Sequence, residues 1–482
     1  MSVKKSIGWM AGAQFVYFAL QLVSSVVLAR LLTPYEVGIF AVAFAASGLI
    51  SVIQSLGLNN YLIRERDLTA ALSATIFSIN FAVAFFLTLV IAAFGMVSAS
   101  IFDEPAVRSV LLFLAVIPLI AALGFMPLAM LERDGNFKKV SLVKMLGTAS
   151  GTIATLGFAF TGHSYMSFAY GQIIAASVSA AMAIAFAPHH ASFRMGLENW
   201  RAVQRFSVNV LATTGVGRIA ARLQDMTMGR LLGIEALGLF SRSGNIFSML
   251  WDSVFLVICR IMFVDFAAGA RAGVPIGPRY QHALGLFTAL MWPAFLGLGV
   301  LSGPFVLLIY GAKWVSITMC LSILCMIGIF YTAIAMAWDL FIIADETGRQ
   351  ARFEIIRSII GLAVFAGACF ISIEAAATAR LIDAIFAFFL YMPHILRITD
   401  SRLGDIMRIY GRSAVLAVAA VAPAFCVMTW YGWSPAAPLL VVIIAVVAGV
   451  GLWAMTLRLL SHPLFFEARS LLMRRYKAIK LI

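Results

Sequence analysis

Six basic side chains interrupt stretches that are otherwise apolar: Lys144, Arg218, Arg222, Arg242, Arg260 and Arg357. A charge at the centre of a bilayer helix costs about 2.5–3.5 kcal/mol on insertion scales, so such residues face water or a partner. Arg218 and Arg222 are four apart and share a helical stripe with Thr214 and Asp225. Arg242, Asn245, Ser248 and Asp252 form a second stripe, Gln14, Tyr17, Gln21 and Ser24 a third, and Ser47, Ser51 and Gln54 a fourth. Guanidinium groups bind phosphate oxygens through a fork of donors, so these stripes suit a hydrated cavity for an anionic cargo. A structural reading competes: Asp225 neutralises Arg222, Asp252 pairs with Arg242, Arg260 snorkels to the interface, and Lys144 and Arg357 brace their helices. Asp225, Asp252, Asp339 and Asp383 are the candidates for a coupling cation, or else close salt bridges. The sequence offers no catalytic constellation and no metal site. The six histidines lack HExxH spacing, and Cys259, Cys320, Cys325, Cys369 and Cys426 include no CxxC pair. No cofactor is expected.

The elements that must carry these residues are membrane helices. Of 482 residues, 62% are hydrophobic and 12% charged, with a mean hydropathy of +0.99. A soluble domain carries roughly 25% charge, which excludes a water-soluble enzyme. The runs lack the alternation of a transmembrane barrel. Fourteen runs approach the roughly 20 residues needed to cross a bilayer. They lie near 7–31, 36–58, 70–99, 107–131, 138–160, 165–187, 205–231, 235–264, 280–303, 315–343, 351–372, 377–396, 409–430 and 438–458. The first resembles a signal peptide in its basic start, but its length and the lack of a cleavage site make it an expected retained span. Pro118, Pro127 and Pro293 fall inside runs and predict kinks or hinges.

Basic residues test the count. With the N-terminus cytoplasmic, alternate connections and the tail hold 24 Lys and Arg and the opposite side holds 5. One span more or fewer would destroy this bias, so both ends are expected to be cytoplasmic. The bases are spread over short connections rather than gathered on one face, which argues against nucleic acid and for membrane lipids as partners. Residues 461–482 read as a basic amphipathic tail on the inner leaflet.

The chain also repeats. Arg30-Leu-Leu-Thr-Pro-Tyr-Glu-Val-Gly-Ile-Phe40 returns as Arg230-Leu-Leu-Gly-Ile-Glu-Ala-Leu-Gly-Leu-Phe240, at an offset of 200. Gly135 and Lys144 align with Gly348 and Arg357 at an offset of 213. Each match follows the same span of a six-span set, which predicts parallel repeats with the cargo path between them. The expected organisation is a lobe over 1–190, a second over 200–400, two additional helices over 405–460, and the tail.

Leu28-Ala-Arg-Leu-Leu-Thr-Pro-Tyr-Glu-Val-Gly38, with Leu56-Gly-Leu-Asn-Asn-Tyr-Leu-Ile63 and Arg66-Asp-Leu-Thr69, resembles the polysaccharide transporter (Wzx-type) branch of the multidrug/oligosaccharidyl-lipid/polysaccharide (MOP) exporter superfamily. The resemblance implies an all-α membrane protein of about 14 transmembrane helices, with two parallel six-helix lobes plus two additional helices. It implies a non-enzymatic flippase that moves a polyprenyl-pyrophosphate-linked oligosaccharide across the bacterial inner membrane by alternating access. It admits the polymerase and chain-length proteins of the same pathway as further partners. A peptidoglycan-precursor (lipid II) flippase and a cation-coupled drug exporter are the alternatives within the superfamily. A membrane-embedded polymerase or acyltransferase would need a large outer loop or a reactive His or Asp constellation, and this chain has neither.

Overall fold

The computed structural model describes residues 19–51, 58–65, 68–190, 194–198, 200–201, 203, 215–271 and 274–466. Within them the first eight helices are α1 (Ala19–Leu31), α2 (Pro34–Ser51), α3 (Leu58–Arg64), α4 (Ala70–Phe102), α5 (Pro105–Leu114), α6 (Ile117–Arg133), α7 (Phe137–Phe160) and α8 (Met166–Phe186). Then come α9 (Val216–Leu231), α10 (Ile234–Arg271), α11 (Ile276–Val300), α12 (Ser302–Ile309), α13 (Thr318–Ala333), α14 (Ala337–Ile343), α15 (Thr347–Ala368), α16 (Ile373–Thr399), α17 (Leu403–Trp430) and α18 (Leu439–Leu459). Two short 3₁₀ turns are also present, Pro188–His190 and Ala312–Ile317.

Each expected span has a helix at its place, but only ten among the described residues are long and apolar enough to qualify as crossings on their own. The starts of the first and seventh spans lie outside the described residues. The eleventh, α15, is helical throughout but diluted by Arg352, Glu354 and Arg357; the eighth, α10, is helical throughout, with many of its side chains beyond Val254 outside those described. The fourth span is two helices, broken at Ala115–Val116 just before Pro118, whose ring cannot accept the preceding helical carbonyl geometry. The Thr88 hydroxyl donates to the carbonyl of the buried Ala115 at 2.8 Å. Pro127 and Pro293 sit inside continuous helices. The tenth span is also divided, with Met336 at φ +64 between α13 and α14. The expected basic tail lies largely outside the described residues.

The chain divides into two compact units. The first comprises residues up to Ser241 together with Glu354–Ser372. Its core joins Leu58 and Leu62 of α3, Ile76 and Phe77 of α4, and Met126 and Ala129 of α6. Small residues bring α6, α7 and α8 together. A Cβ on Gly124 would stand 2.7 Å from the Ala180 Cα, and one on Gly147 would stand 1.8 Å from the Ser179 Oγ.

The repeated segment has a mechanical role at one end of this unit. Thr33 caps α2, and Thr33 and Glu36 form a reciprocal box: the Thr33 amide donates to Glu36 Oε2 at 2.7 Å, and the Glu36 amide donates to Thr33 Oγ1 at 3.3 Å. Pro34 occupies the first helical position, where its missing N–H is harmless. The matching glycines meet the opposite copy. A Cβ on Gly38 would lie 1.9 Å from the Ile234 carbonyl oxygen, and one on Gly238 would lie 1.9 Å from that of Pro34. Exchanging each residue for its counterpart 200 positions away (38 for 238, 234 for 34) turns one contact into the other, so the crossing is locally two-fold. Arg230 donates to Asp103 at 2.6 Å, the Tyr35 hydroxyl donates to Glu104, and that of Ser164 donates to Glu36.

The second unit comprises Arg242–Phe353 and residues from Ile373 onward. Interhelical hydrogen bonds tie its apolar helices, as bilayer packing requires. The Tyr410 hydroxyl donates to the Ala333 carbonyl at 2.6 Å, Trp453 Nε1 donates to Ala289 at 3.1 Å, and Thr288 and Ser413 share a 2.7 Å bond. On α17 and α18 large apolar side chains such as Phe425, Leu440 and Val447 are exposed, which suits contact with lipid.

His462, just beyond α18, is buried beside Arg412 and His282. Burial first, and then the nearby Arg412 and His282 side chains, hold its ring below the ordinary value of 6.5. Its Nδ1 accepts the Leu464 amide at 3.3 Å, which requires an unprotonated nitrogen there. Folding therefore favours the neutral ring, whose stabilising contribution is complete above the ordinary value and is lost as pH falls below it. The thermal midpoint of the detergent-solubilised protein should fall between pH 7.5 and 5.5, and His462→Gln should flatten that slope.

Candidate functional site

A cavity of about 880 Å³ lies in the first unit, walled by α2, α3, α4, α6, α7, α8 and α9. Among the described residues its charged side chains are Lys144, Arg218, Arg222 and Glu132, so three cations there face one carboxylate. α9 delivers Arg218 and Arg222 on one face because they are a helical turn apart. Gly48 of α2 makes room for the second: a Cβ there would lie 2.9 Å from Arg222 Nε. One turn earlier on α2, the Phe44 ring centroid lies 4.8 Å from Arg222 Cζ, a cation–π contact worth about 0.5–2 kcal/mol. The same arginine approaches Asp225 at 3.6 Å, with about a third of its side chain exposed. That distance exceeds a hydrogen bond, and a pair this wet contributes about 0–1 kcal/mol. Arg218 is exposed on the cavity wall.

Glu132, in the last turn of α6, organises the opposite wall. It accepts from Lys144 Nζ of α7 at 3.1 Å and from Asn59 Nδ2 of α3 at 2.8 Å. The neighbouring Arg133 donates to the Leu62 carbonyl at 3.2 Å, fixing the short α3 against α6. Since a carboxylate only accepts, the Asn59 amide is oriented with Nδ2 on Glu132, and its buried Oδ1 has no partner among the described residues. Asn80, 1% exposed on α4, also lines the cavity, and its Nδ2 has no partner either. An unmet buried amide costs about 1–3 kcal/mol, so these two are expensive features of an apolar helix wall. Glu132→Gln would raise the cavity charge by one. We expect it to tighten diphosphate binding about two- to tenfold, measured by titrating inorganic diphosphate into the purified protein.

Of the residues singled out from sequence, the cavity brings together Lys144, Arg218 and Arg222, with Asp225 beside the last. Arg357 belongs to the same unit but is paired with Glu354 at 2.7 Å and is not a lining residue. Gln21 is exposed on α1, and Gln14 lies outside the described residues. In the second unit Arg242 is 4% exposed, with its guanidinium 4.9 Å from the Trp314 ring centroid and 5.6 Å from that of Tyr310. Asp252, Asp339 and Asp383 lie in that unit too, on α10, α14 and α16, while the Arg260 side chain falls outside what the structure describes. Among the described residues no group of three His, Cys, Asp or Glu could hold a metal. Asn59, Asn80 and Glu132 escape a search for cations. The signal for Asn80 is an amide within a 33-residue apolar helix, whereas Glu132 reads as a loop charge at a span end.

The helical fold and wet cationic cavity define a multi-pass membrane protein of the MOP transporter fold. Two solved structures share it. The lipid II flippase MurJ in an inward closed conformation has a TM-score of 0.74 and 15% identity, over 93% of this chain and 98% of that one. An inward-facing multidrug resistance MATE family transporter of the MOP superfamily has a TM-score of 0.62 and 12% identity, over 80% and 95%. A family profile described as polysaccharide biosynthesis protein matches residues 27–319, and the chain belongs to that family. The succinoglycan biosynthesis transport protein ExoT of Rhizobium meliloti is 22% identical over 65% of this chain. The lipopolysaccharide biosynthesis protein WzxC of Escherichia coli is 20% identical over 67% of it. The matched stretch spans 63% of the succinoglycan protein's length and 66% of the lipopolysaccharide protein's.

Proposed function

We propose that this protein flips polyprenyl-diphosphate-linked oligosaccharide repeat units across the bacterial cytoplasmic membrane, for an exopolysaccharide or O-antigen. The observation that carries this reading is the cavity where, among the described residues, Lys144, Arg218 and Arg222 face the single carboxylate of Glu132. Arg218 and Arg222 dock the diphosphate, because bidentate guanidinium contacts fit phosphate oxygens. Polar lining takes the sugars and the polyprenyl chain remains in lipid. The relatives named for succinoglycan transport and lipopolysaccharide biosynthesis support this class of cargo.

The positive-inside bias supports cytoplasmic termini. In that orientation Glu132 and Lys144 lie toward the cytoplasmic ends of α6 and α7, and the Gly38–Gly238 crossing lies at the outer end. The reciprocal glycine contact supports the two six-span repeats, over 1–190 and 200–400, as lobes that alternate access. Spans thirteen and fourteen would flank the lipid tail. The protein performs no covalent chemistry in this scheme. Rocking of the lobes carries the head group, with a gradient coupled through one of Asp225, Asp252, Asp339 or Asp383. The polymerase and chain-length proteins of the pathway would receive the product.

Deletion of the gene, followed by analysis of lipid-linked saccharides, tests the reading. Loss of surface polymer with accumulation of a diphosphate-linked oligosaccharide on the inner leaflet is expected. Lysis with accumulated peptidoglycan precursor would instead assign the lipid II cargo.

A further inference from the structure

We propose that Asn59 and Asn80 form a sugar-reading subsite of the cavity, which takes the sugar through a group that donates and accepts at once. The inference rests on the cargo class proposed above and adds to it the residues that read the saccharide. Two unmet amide atoms carry it. Asn59 Oδ1 is a buried acceptor, held in that role because its Nδ2 donates to Glu132 at 2.8 Å. Asn80 is 1% exposed, and its Nδ2 is a buried donor without a partner among the described residues. Both residues line the cavity.

A phosphate accepts but, when ionised, does not donate, so it would satisfy Asn80 and leave Asn59 unmet. A sugar hydroxyl both donates and accepts, and an N-acyl group supplies an N–H beside a carbonyl. Either satisfies the pair. The two amides stand on rigid ground: Leu58 beside Asn59, and Ile76 and Phe77 one turn before Asn80, belong to one buried cluster with Met126 and Ala129. Fixed donors and acceptors discriminate because a ligand without the matching group leaves them unpaired. The cations Arg218, Arg222 and Lys144 are satisfied by any phosphorylated lipid. The cavity thus divides into a wall indifferent to the sugar and a wall that reads it.

The test uses the full chain in lipid nanodiscs and three probes: undecaprenyl diphosphate alone, the same lipid bearing one N-acetylhexosamine, and the same lipid bearing one hexose. The wild-type protein should prefer at least one sugar-bearing probe about fivefold to tenfold over the bare lipid. Asn80→Leu should bind the bare lipid as wild type does and lose that preference; Asn59→Leu should lose the preference too, and Asn80→Ser should keep part of it. Retained bare-lipid binding shows that each variant is folded, and if one Leu variant fails to insert, the other and Asn80→Ser decide. A preference that survives in the Leu variants overturns the subsite. So does a wild type that binds the bare lipid and gains nothing from sugar, a result that leaves the diphosphate reading standing. A wild type that binds no polyprenyl diphosphate overturns both.

Discussion

Replacing Arg218 and Arg222 together by Ala should abolish polymer export while leaving the protein inserted at wild-type levels. Both side chains line the cavity, and among the described residues neither has a buried ion pair whose loss would unfold the helix. Arg222 meets Asp225 only at 3.6 Å, and Arg218 is exposed on the cavity wall. Hydrogen bonds to charged groups contribute about 1.5–3 kcal/mol each, so losing two guanidinium contacts corresponds to about a 10²–10⁴-fold loss of affinity for a diphosphate head group. Polymer output should fall below detection, and lipid-linked saccharide should accumulate. Arg218→Lys with Arg222→Lys should restore part of the activity, since an ammonium keeps the charge but not the fork. Lys144→Ala should have a smaller effect, because Lys144 already spends one donor on Glu132.

The second large effect is expected at the Gly38–Gly238 crossing, and it is structural. A methyl on either glycine would stand 1.9 Å from a backbone carbonyl oxygen, which no side-chain rotation relieves. Forcing such atoms apart costs about 1–3 kcal/mol or more. We expect Gly38→Ala or Gly238→Ala to lower the thermal midpoint in detergent by about 3–10 °C. Because the two contacts are reciprocal, opening the crossing for one methyl also makes room for the other. The double variant should therefore lose less than the sum of the single losses. Strict additivity would contradict a shared two-fold contact.

These two sites differ in how they could be read beforehand. Arg218, Arg222 and Lys144 stand out because charge in an apolar run demands water or a partner. That logic does not say which demand is met. Arg242 has the same signature, yet its guanidinium lies against the rings of Trp314 and Tyr310, far along the chain where no spacing rule reaches. Arg357 is similarly engaged by Glu354, one turn away. The glycines of the repeat were visible as matching letters, but their purpose appears only when Gly38 is seen on Ile234 and Gly238 on Pro34. Glu132 was hidden by its position at a helix end, where an acid normally meets solvent. The helices were legible almost throughout because bilayer thickness imposes run length. The split at Ala115–Val116 followed from Pro118, whereas the one at Met336 had no proline to announce it.

Transport itself is the most direct test of the central claim, that the cationic cavity carries a diphosphate-linked saccharide across the bilayer. Purified wild-type protein and the Arg218→Ala/Arg222→Ala variant would be reconstituted into liposomes holding a fluorescent undecaprenyl-diphosphate oligosaccharide. Accessibility of the label to a membrane-impermeant quencher would then be followed over time. Wild type should equilibrate the label rapidly between leaflets, and the variant should do so at a rate indistinguishable from protein-free liposomes. Equal rates for the two proteins, or no acceleration by wild type under an imposed ion gradient of either sign, would contradict that claim.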